Sequence, residues 1–244
     1  MWGAALVVVG GHLSGRMELG ALCSLLSTAA VSLTLAPAIR LSQTGSKRDA
    51  VILAIVLAMM AVAGQGYYQA GFLFMAPAYL ILILSSKVGE KLLWKRYLTA
   101  AGLGLLLAAP FLVPFIHFFP NFLKNSDPYF NSVQPLPYYL LNLLIDGFEF
   151  FNTTVLGHLP FPNLYTMFVG WIPVILAIVA LSTVRRKDRR PISFLATSAA
   201  LVLWLGTAQP LQWVQGIFPG VASLRFISVI GGLAVPCIIA LAAY

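Results

Sequence analysis

AVILAIVLAMMAVAGQGYYQAGFLFMAPAYLILILSS, Ala50 to Ser86, runs for 37 residues without one charged side chain. As a single helix it would be about 55 Å long, against a bilayer hydrocarbon core of roughly 30 Å. The stretch must therefore fold back on itself, and Gly64-Gln65-Gly66 is its one turn-forming break. The first arm, Ala50 to Gly64, is short, which sets the turn below the outer membrane surface. Irregular backbone at that depth is tolerated only where protein or a wet cavity surrounds it.

Working outward from this hairpin, basic residues bracket it. Of 15 Lys and Arg residues, 12 fall in three short segments: Arg40 to Arg48, Lys87 to Arg96 and Arg185 to Arg190. Insertion retains such clusters on the cytoplasmic side. With Asp49, Glu90 and Asp188 subtracted, the inside carries net +9. The outside, with Arg16, Lys124 and Arg225 against Glu18, Asp127, Asp146 and Glu149, carries −1. A chain that is 60% hydrophobic and 9% charged is far from the roughly 25% charge of a soluble domain. Its net charge of +8 follows topology and anionic lipid, not nucleic acid.

The expected fold is all-α: a polytopic transmembrane bundle of about eight spans, with residues 1–244 as a single transmembrane domain. The spans are Trp2–Leu13, Leu19–Pro37, the two arms of the hairpin, Leu98–Phe119, Met167–Val184, Ile192–Thr207 and Ile227–Tyr244. Trp2–Leu13 is too short to cross alone, so the chain is expected to be a piece of a longer membrane protein. Pro110 and Pro114 predict kinks in the fifth span. Short charged hairpins leave no room for a site inside, so chemistry is expected on the outer loops. The largest is 120–165, in which Tyr138 to Phe151 predicts an interfacial helix carrying Asn142, Asp146 and Glu149 on one stripe.

The candidate residues follow from that placement. Arg225, at the mouth of the last span, suits a lipid phosphate or pyrophosphate, although snorkelling to the headgroups accounts for it as well. Arg16 and Glu18 form an analogous pair in the first outer turn. Gln65 and Gln69 flank the recessed turn, where they serve either a substrate cavity or the broken helix ends. Glu18, Asp146 and Glu149 are the candidate catalytic carboxylates. His12, His117 and His158 are scattered over separate segments, and no metal motif appears. Cys23 and Cys237 read as small hydrophobes in helix packing.

Four pieces together carry a family resemblance: Gly15-Arg16-Met17-Glu18-Leu19-Gly20 before a span, Ala63-Gly64-Gln65-Gly66-Tyr67-Tyr68-Gln69 at the hairpin top, Ala108-Ala109-Pro110-Phe111-Leu112-Val113-Pro114 in a kinked span, and Leu205-Gly206-Thr207 through Pro219-Gly220-Val221-Ala222-Ser223-Leu224-Arg225-Phe226. The chain resembles bacterial membrane proteins of the YfhO type and the 6-pyruvoyl-tetrahydropterin synthase-related membrane domain, within the GT-C glycosyltransferase-like superfamily. The resemblance implies a polyprenyl-phosphate-linked sugar handled on the non-cytoplasmic face of the cell membrane, for envelope glycan or glycolipid assembly. It also implies a carboxylate that activates the acceptor hydroxyl, often beside a divalent metal. The superfamily's acidic loop follows its first span; Glu18 lies in a very short turn instead, so that loop is expected upstream of Met1.

Two other classes stay open. A lipid or solute carrier would use broken helices at the midplane and internal symmetry, but no repeat is evident, and no span holds a carboxylate or lysine. A non-catalytic scaffold subunit would need only the packing surfaces.

Overall fold

The computed structural model describes residues 22–63, 66–84, 88–118, 121, 133–145, 167–185, 188–215 and 227–244. These residues form helices joined by turns, with no strand among them. In chain order the helices are α1 (Leu22–Thr44), α2 (Lys47–Val62), α3 (Gly66–Met75), α4 (Tyr79–Ile83), α5 (Glu90–Phe118), α6 (Leu136–Leu141), α7 (Trp171–Ser182), α8 (Arg189–Gly206), α9 (Gln209–Gln215) and α10 (Ala234–Ala242). Short 3₁₀ segments, Ala76–Ala78 and Ile227–Leu233, join α3 to α4 and lead into α10.

Leu25–Thr44 and Glu90–Phe118 are long and apolar enough to cross a membrane; Tyr68–Ile83, Trp171–Ser182 and Ile227–Ala242 are shorter apolar segments. The last gains length from its geometry. A 3₁₀ turn rises about 2.0 Å per residue against 1.5 Å for an α-helix, so Ile227–Ala242 reaches about 27 Å.

The fold-back in Ala50–Ser86 is present: α2 stops at Val62 and α3 starts at Gly66. The two arms do not pack on each other, however. α2 packs most extensively on α1 and α5, whereas α3 packs on α8 and on the Ile227–Leu233 segment. Gly104 of α5 lies against the backbone of Ala54 and the side chain of Leu57, and a methyl group added there would sit 3.1 Å from both. That contact, with Gly45 beside Val88 and Leu92, shows α2 and α5 running parallel, the α3–α4 rod returning between them in sequence.

α8 is the hub of the other half, touching α3, α4, α6, α9, α10 and the 3₁₀ segment. The halves meet at Tyr79. Phe194 of α8, Phe72 of α3 and Tyr97 of α5 pack edge-on against its ring at 5.0, 5.8 and 6.2 Å, an arrangement the ring quadrupole favours. Its hydroxyl is 3.4 Å from that of Thr34 on α1, and Tyr97 donates to the Ala38 carbonyl at 2.6 Å.

Side-chain size is distributed unevenly around α5. Its buried stripe narrows from Leu93 and Tyr97 to Ala100, Gly104 and Ala108. Large apolar residues face outward: Leu105 is 61% exposed, Leu106 69% and Ile116 67%. Ile172, Ile175 and Ile178 of α7 are likewise more than half exposed. Small residues at helix contacts and large ones on the perimeter are what close packing produces when the surrounding solvent is itself apolar.

Three sequence expectations need correction. The basic segments are largely helical: Arg40 lies in α1, Lys91, Lys95 and Arg96 in α5, and Arg189 and Arg190 in α8. The helices continue past their apolar stretches, since hydrogen bonds within a helix form whether lipid or water surrounds it. Of the helix expected over Tyr138–Phe151, residues 146–151 lie outside the described residues, and up to 145 the helix covers only Leu136–Leu141. It ends where Asn142 turns back to give its amide to the Tyr139 carbonyl at 3.1 Å, and the Leu143 carbonyl accepts from both Val169 and Gly170 at 3.0 Å. Asn142 is buried, not on a solvated stripe. Finally, the stretch between the expected spans Ile192–Thr207 and Ile227–Tyr244 contains a helix of its own, α9. The prolines at 110 and 114 lie inside α5 without ending it.

Candidate functional site

Most residues favoured by sequence (Arg16, Glu18, Gln65, Asp146, Glu149 and Arg225) lie outside the described residues, as do His12 and His158 and most of loop 120–165. Gln69 is described. It sits half-buried in the first turn of α3 and donates its amide to the Ala61 carbonyl. Ser27 of α1 donates to the Ala63 carbonyl at 3.3 Å. Both bonds satisfy the carbonyls at the open C-terminal end of α2, the second of the two roles the sequence left to Gln69. His117 lies in the last turn of α5 and packs edge-on against Phe118 at 4.9 Å. Among the described residues no group of three His, Cys, Asp or Glu side chains converges to hold a metal, so no chemical step is assigned to one.

A site nevertheless takes shape at the end the charge pattern had set aside. It begins with the α1–α2 hairpin. Gly45 has φ +61° and its amide closes α1 on the Leu41 carbonyl at 2.8 Å, the left-handed stop that glycine takes without strain. Ser46 then caps α2: its hydroxyl accepts from the Asp49 amide at 3.0 Å and donates to Asp49 Oδ2 at 2.9 Å. Thr44 donates to the same oxygen at 2.5 Å. Ser46 is thus an N-cap whose hydroxyl also meets the Asp49 carboxylate, while its own backbone amide donates to the Thr44 hydroxyl at 3.2 Å. Ser46 followed by Asp49 is a local sequence signal that the charge pattern overshadowed.

The remaining oxygen of Asp49 holds Arg40. Arg40 Nε lies 3.1 Å from Oδ1, with the arginine side chain 66% exposed and the aspartate side chain 4% exposed. The Thr44 hydroxyl, above all, holds the Asp49 carboxyl below its ordinary 3.8; burial opposes it, and Ser46, Arg40 and Arg48 add to the lowering. Asp49 therefore stays charged, and it orients Arg40 through the guanidinium Nε.

Arg40 stands at the mouth of a cleft of about 540 Å³ between α1 and α10. Leu35, Ala36 and Ile39 form one wall, Pro236, Ile239 and Ala240 the other, and Leu195 of α8 the floor. The polar side chains Arg40, Gln43 and Tyr244 gather at one end, with Ser32 toward the other. From Ser32 to Gln43 the wall is about 16 Å long at the α-helical rise. The sequence expected no room for a site here because it treated the basic segments as loops; the cleft depends on how α10 lies beside α1. A smaller cleft of about 280 Å³, lined by Leu73, Phe74, Leu205 and Leu211 among others, opens between α3 and α9. It is almost wholly apolar.

No protein-family model matches this chain, and neither the curated proteins nor the solved structures give a match.

Proposed function

We propose that this chain is a polytopic membrane protein of about eight spans, its basic helix ends cytoplasmic, that handles a lipid-borne substrate. The inverted size distribution on α5 carries the membrane half of the reading: small buried residues, and Leu105, Leu106 and Ile116 turned outward. Water would penalise that perimeter heavily, whereas lipid does not. The substrate half rests on the GT-C resemblance. In that reading Arg225 binds the phosphate of a polyprenyl-phosphate-linked sugar at the outer face. Arg16 and Gln65 line the approach, and a carboxylate among Glu18, Asp146 and Glu149 activates the acceptor.

The test is Arg225→Ala in the full-length protein, with envelope glycan or glycolipid output as the readout. A large fall with normal membrane insertion supports the reading, and unchanged output removes Arg225 from it. A second reading, a carrier that moves a lipid or solute without forming a bond, draws support from the buried 3₁₀ break at Ile227–Leu233. Broken helices of this kind supply binding groups at depth. Reconstituted proteoliposomes separate the two: transfer yields a new glycosidic product, and carriage yields translocated substrate alone.

A further inference from the structure

The α1–α10 cleft differs in chemistry from the outer-face site just proposed. Its walls are apolar for about three turns of helix, which suits a hydrocarbon chain and no polar metabolite. Its mouth is a guanidinium whose direction is set by a buried carboxylate. A planar arginine fork matches a phosphate oxygen pair, and pre-orientation lowers the entropy lost on binding. The Gln43 amide lies one turn away on the same rim. Around this end stand Lys47 and Arg48 at the start of α2 and Arg189 and Arg190 at the start of α8. Among the described residues the acidic groups at this end are Asp49, already committed to Arg40, Thr44 and Ser46, Asp188, which acts electrostatically on Tyr244, and Glu90 at the start of α5. The charge field at the mouth is positive, and a juxtamembrane cluster of this kind attracts anionic lipid.

We infer that this cleft seats one anionic phospholipid of the leaflet on the basic side, with its phosphate on Arg40 and Gln43 and an acyl chain between Ala36 and Ala240. The inference rests on the membrane reading and is independent of the glycosyl-transfer reading. α1 belongs to the half built with α2 and α5, α10 to the half built around α8, and their direct contact is slight. A lipid in the cleft therefore bridges the two halves and acts as a structural cofactor.

The experiment uses the full chain, purified in mild detergent and studied by native mass spectrometry with phosphatidylglycerol or phosphatidylcholine of identical acyl chains. The wild type is expected to retain one phosphatidylglycerol with a preference on the order of tenfold: both headgroups offer Arg40 the same phosphate, but the choline ammonium of phosphatidylcholine is repelled by the positive mouth. Arg40→Ala should weaken retention of both lipids and reduce that preference, Arg40→Lys should keep more of both, and Ala240→Phe, which fills the cleft, should abolish retention of both lipids. If Arg40→Ala does not fold, Arg40→Lys and Ala240→Phe decide between the outcomes. Equal retention of the two lipids by the wild type overturns the inference, as does unchanged phosphatidylglycerol retention in Ala240→Phe. Displacement of the lipid by millimolar glycerol phosphate also overturns it, because the acyl chain would then add nothing. Release of the chain from membranes by alkaline carbonate sinks the membrane reading itself, whereas a membrane-embedded chain without lipid preference sinks this inference alone.

Discussion

The hydroxyl of Tyr139 donates to the carbonyl oxygen of Ser228 at 2.6 Å, and its buried ring lies against Gly206 of α8 and Gly231 of the 3₁₀ segment. At either glycine a methyl group would collide with the phenol. The segment after α5 is thereby locked to α8 and to the entry of α10 at the end opposite the basic cluster. Tyr139→Phe removes one buried hydrogen bond and should cost about 1 kcal/mol. Gly231→Ala forces the ring out, and overpacking of that kind costs about 1–3 kcal/mol. Thermal unfolding in detergent checks the order. A Gly231→Ala protein as stable as the wild type would mean that Tyr139 does not occupy this seat.

The α1–α2 hairpin makes a second prediction. Gly45 combines a left-handed φ of +61° with close contact to Val88. Gly45→Ala should cost about 1–2 kcal/mol from conformation alone, with more from displacing Val88. Ser46→Ala should cost about 1 kcal/mol as a lost N-cap. Unfolding measurements on both variants would expose an error here if Gly45→Ala were the milder of the two.

Asp49 gives the pH dependence. Its folded-state pKa is lowered from 3.8, chiefly by the Thr44 hydroxyl, then by Ser46, Arg40 and Arg48 against the opposing effect of burial. A carboxylate lowered on folding contributes stability that is fully present above its unfolded pKa and is lost as pH falls through the folded value. The stability difference between wild type and Asp49→Asn should thus stay flat from about pH 8 to 5 and shrink below about pH 4. Paired denaturation curves across that range check it; a difference that grows on acidification contradicts the assigned network.

What could be read in the sequence was whatever hydropathy and local turn chemistry encode. The break at 64–66 followed from length against bilayer thickness, and the apolar segments of α1, α5 and α8 followed from composition. The Ser46 cap with Asp49 behind it was equally local, but it sits at the end of a basic segment whose charge dominates the reading. Tyr139 was different. In YYLLNLLIDG an aromatic residue looks interfacial, and nothing nearby in sequence says that Gly206 and Gly231, far along the chain, leave a slot for it. The cleft was hidden for the same reason, since Arg40 and Tyr244 come to line one cleft only through the packing of α1 beside α10. The residues favoured for chemistry, Arg225 foremost, follow from sidedness alone, and all but Gln69 lie outside the described residues.

The two faces of α5 allow the membrane reading to be tested by contrast. Gly104 rests on the α2 backbone, so Gly104→Val should separate the helices and cost about 1–3 kcal/mol. Leu106 is 69% exposed. In lipid, Leu106→Ala exchanges one apolar contact with solvent for another and should leave stability nearly unchanged. Leu106→Lys, close to the middle of the helix, should cost about 2.5–3.5 kcal/mol of insertion free energy. In water the order reverses, because removing an exposed leucine or adding a lysine would improve solubility. Membrane-integrated yield of the three variants decides between the two. A Leu106→Lys protein that is soluble and abundant without detergent would refute the bilayer as this helix's surroundings.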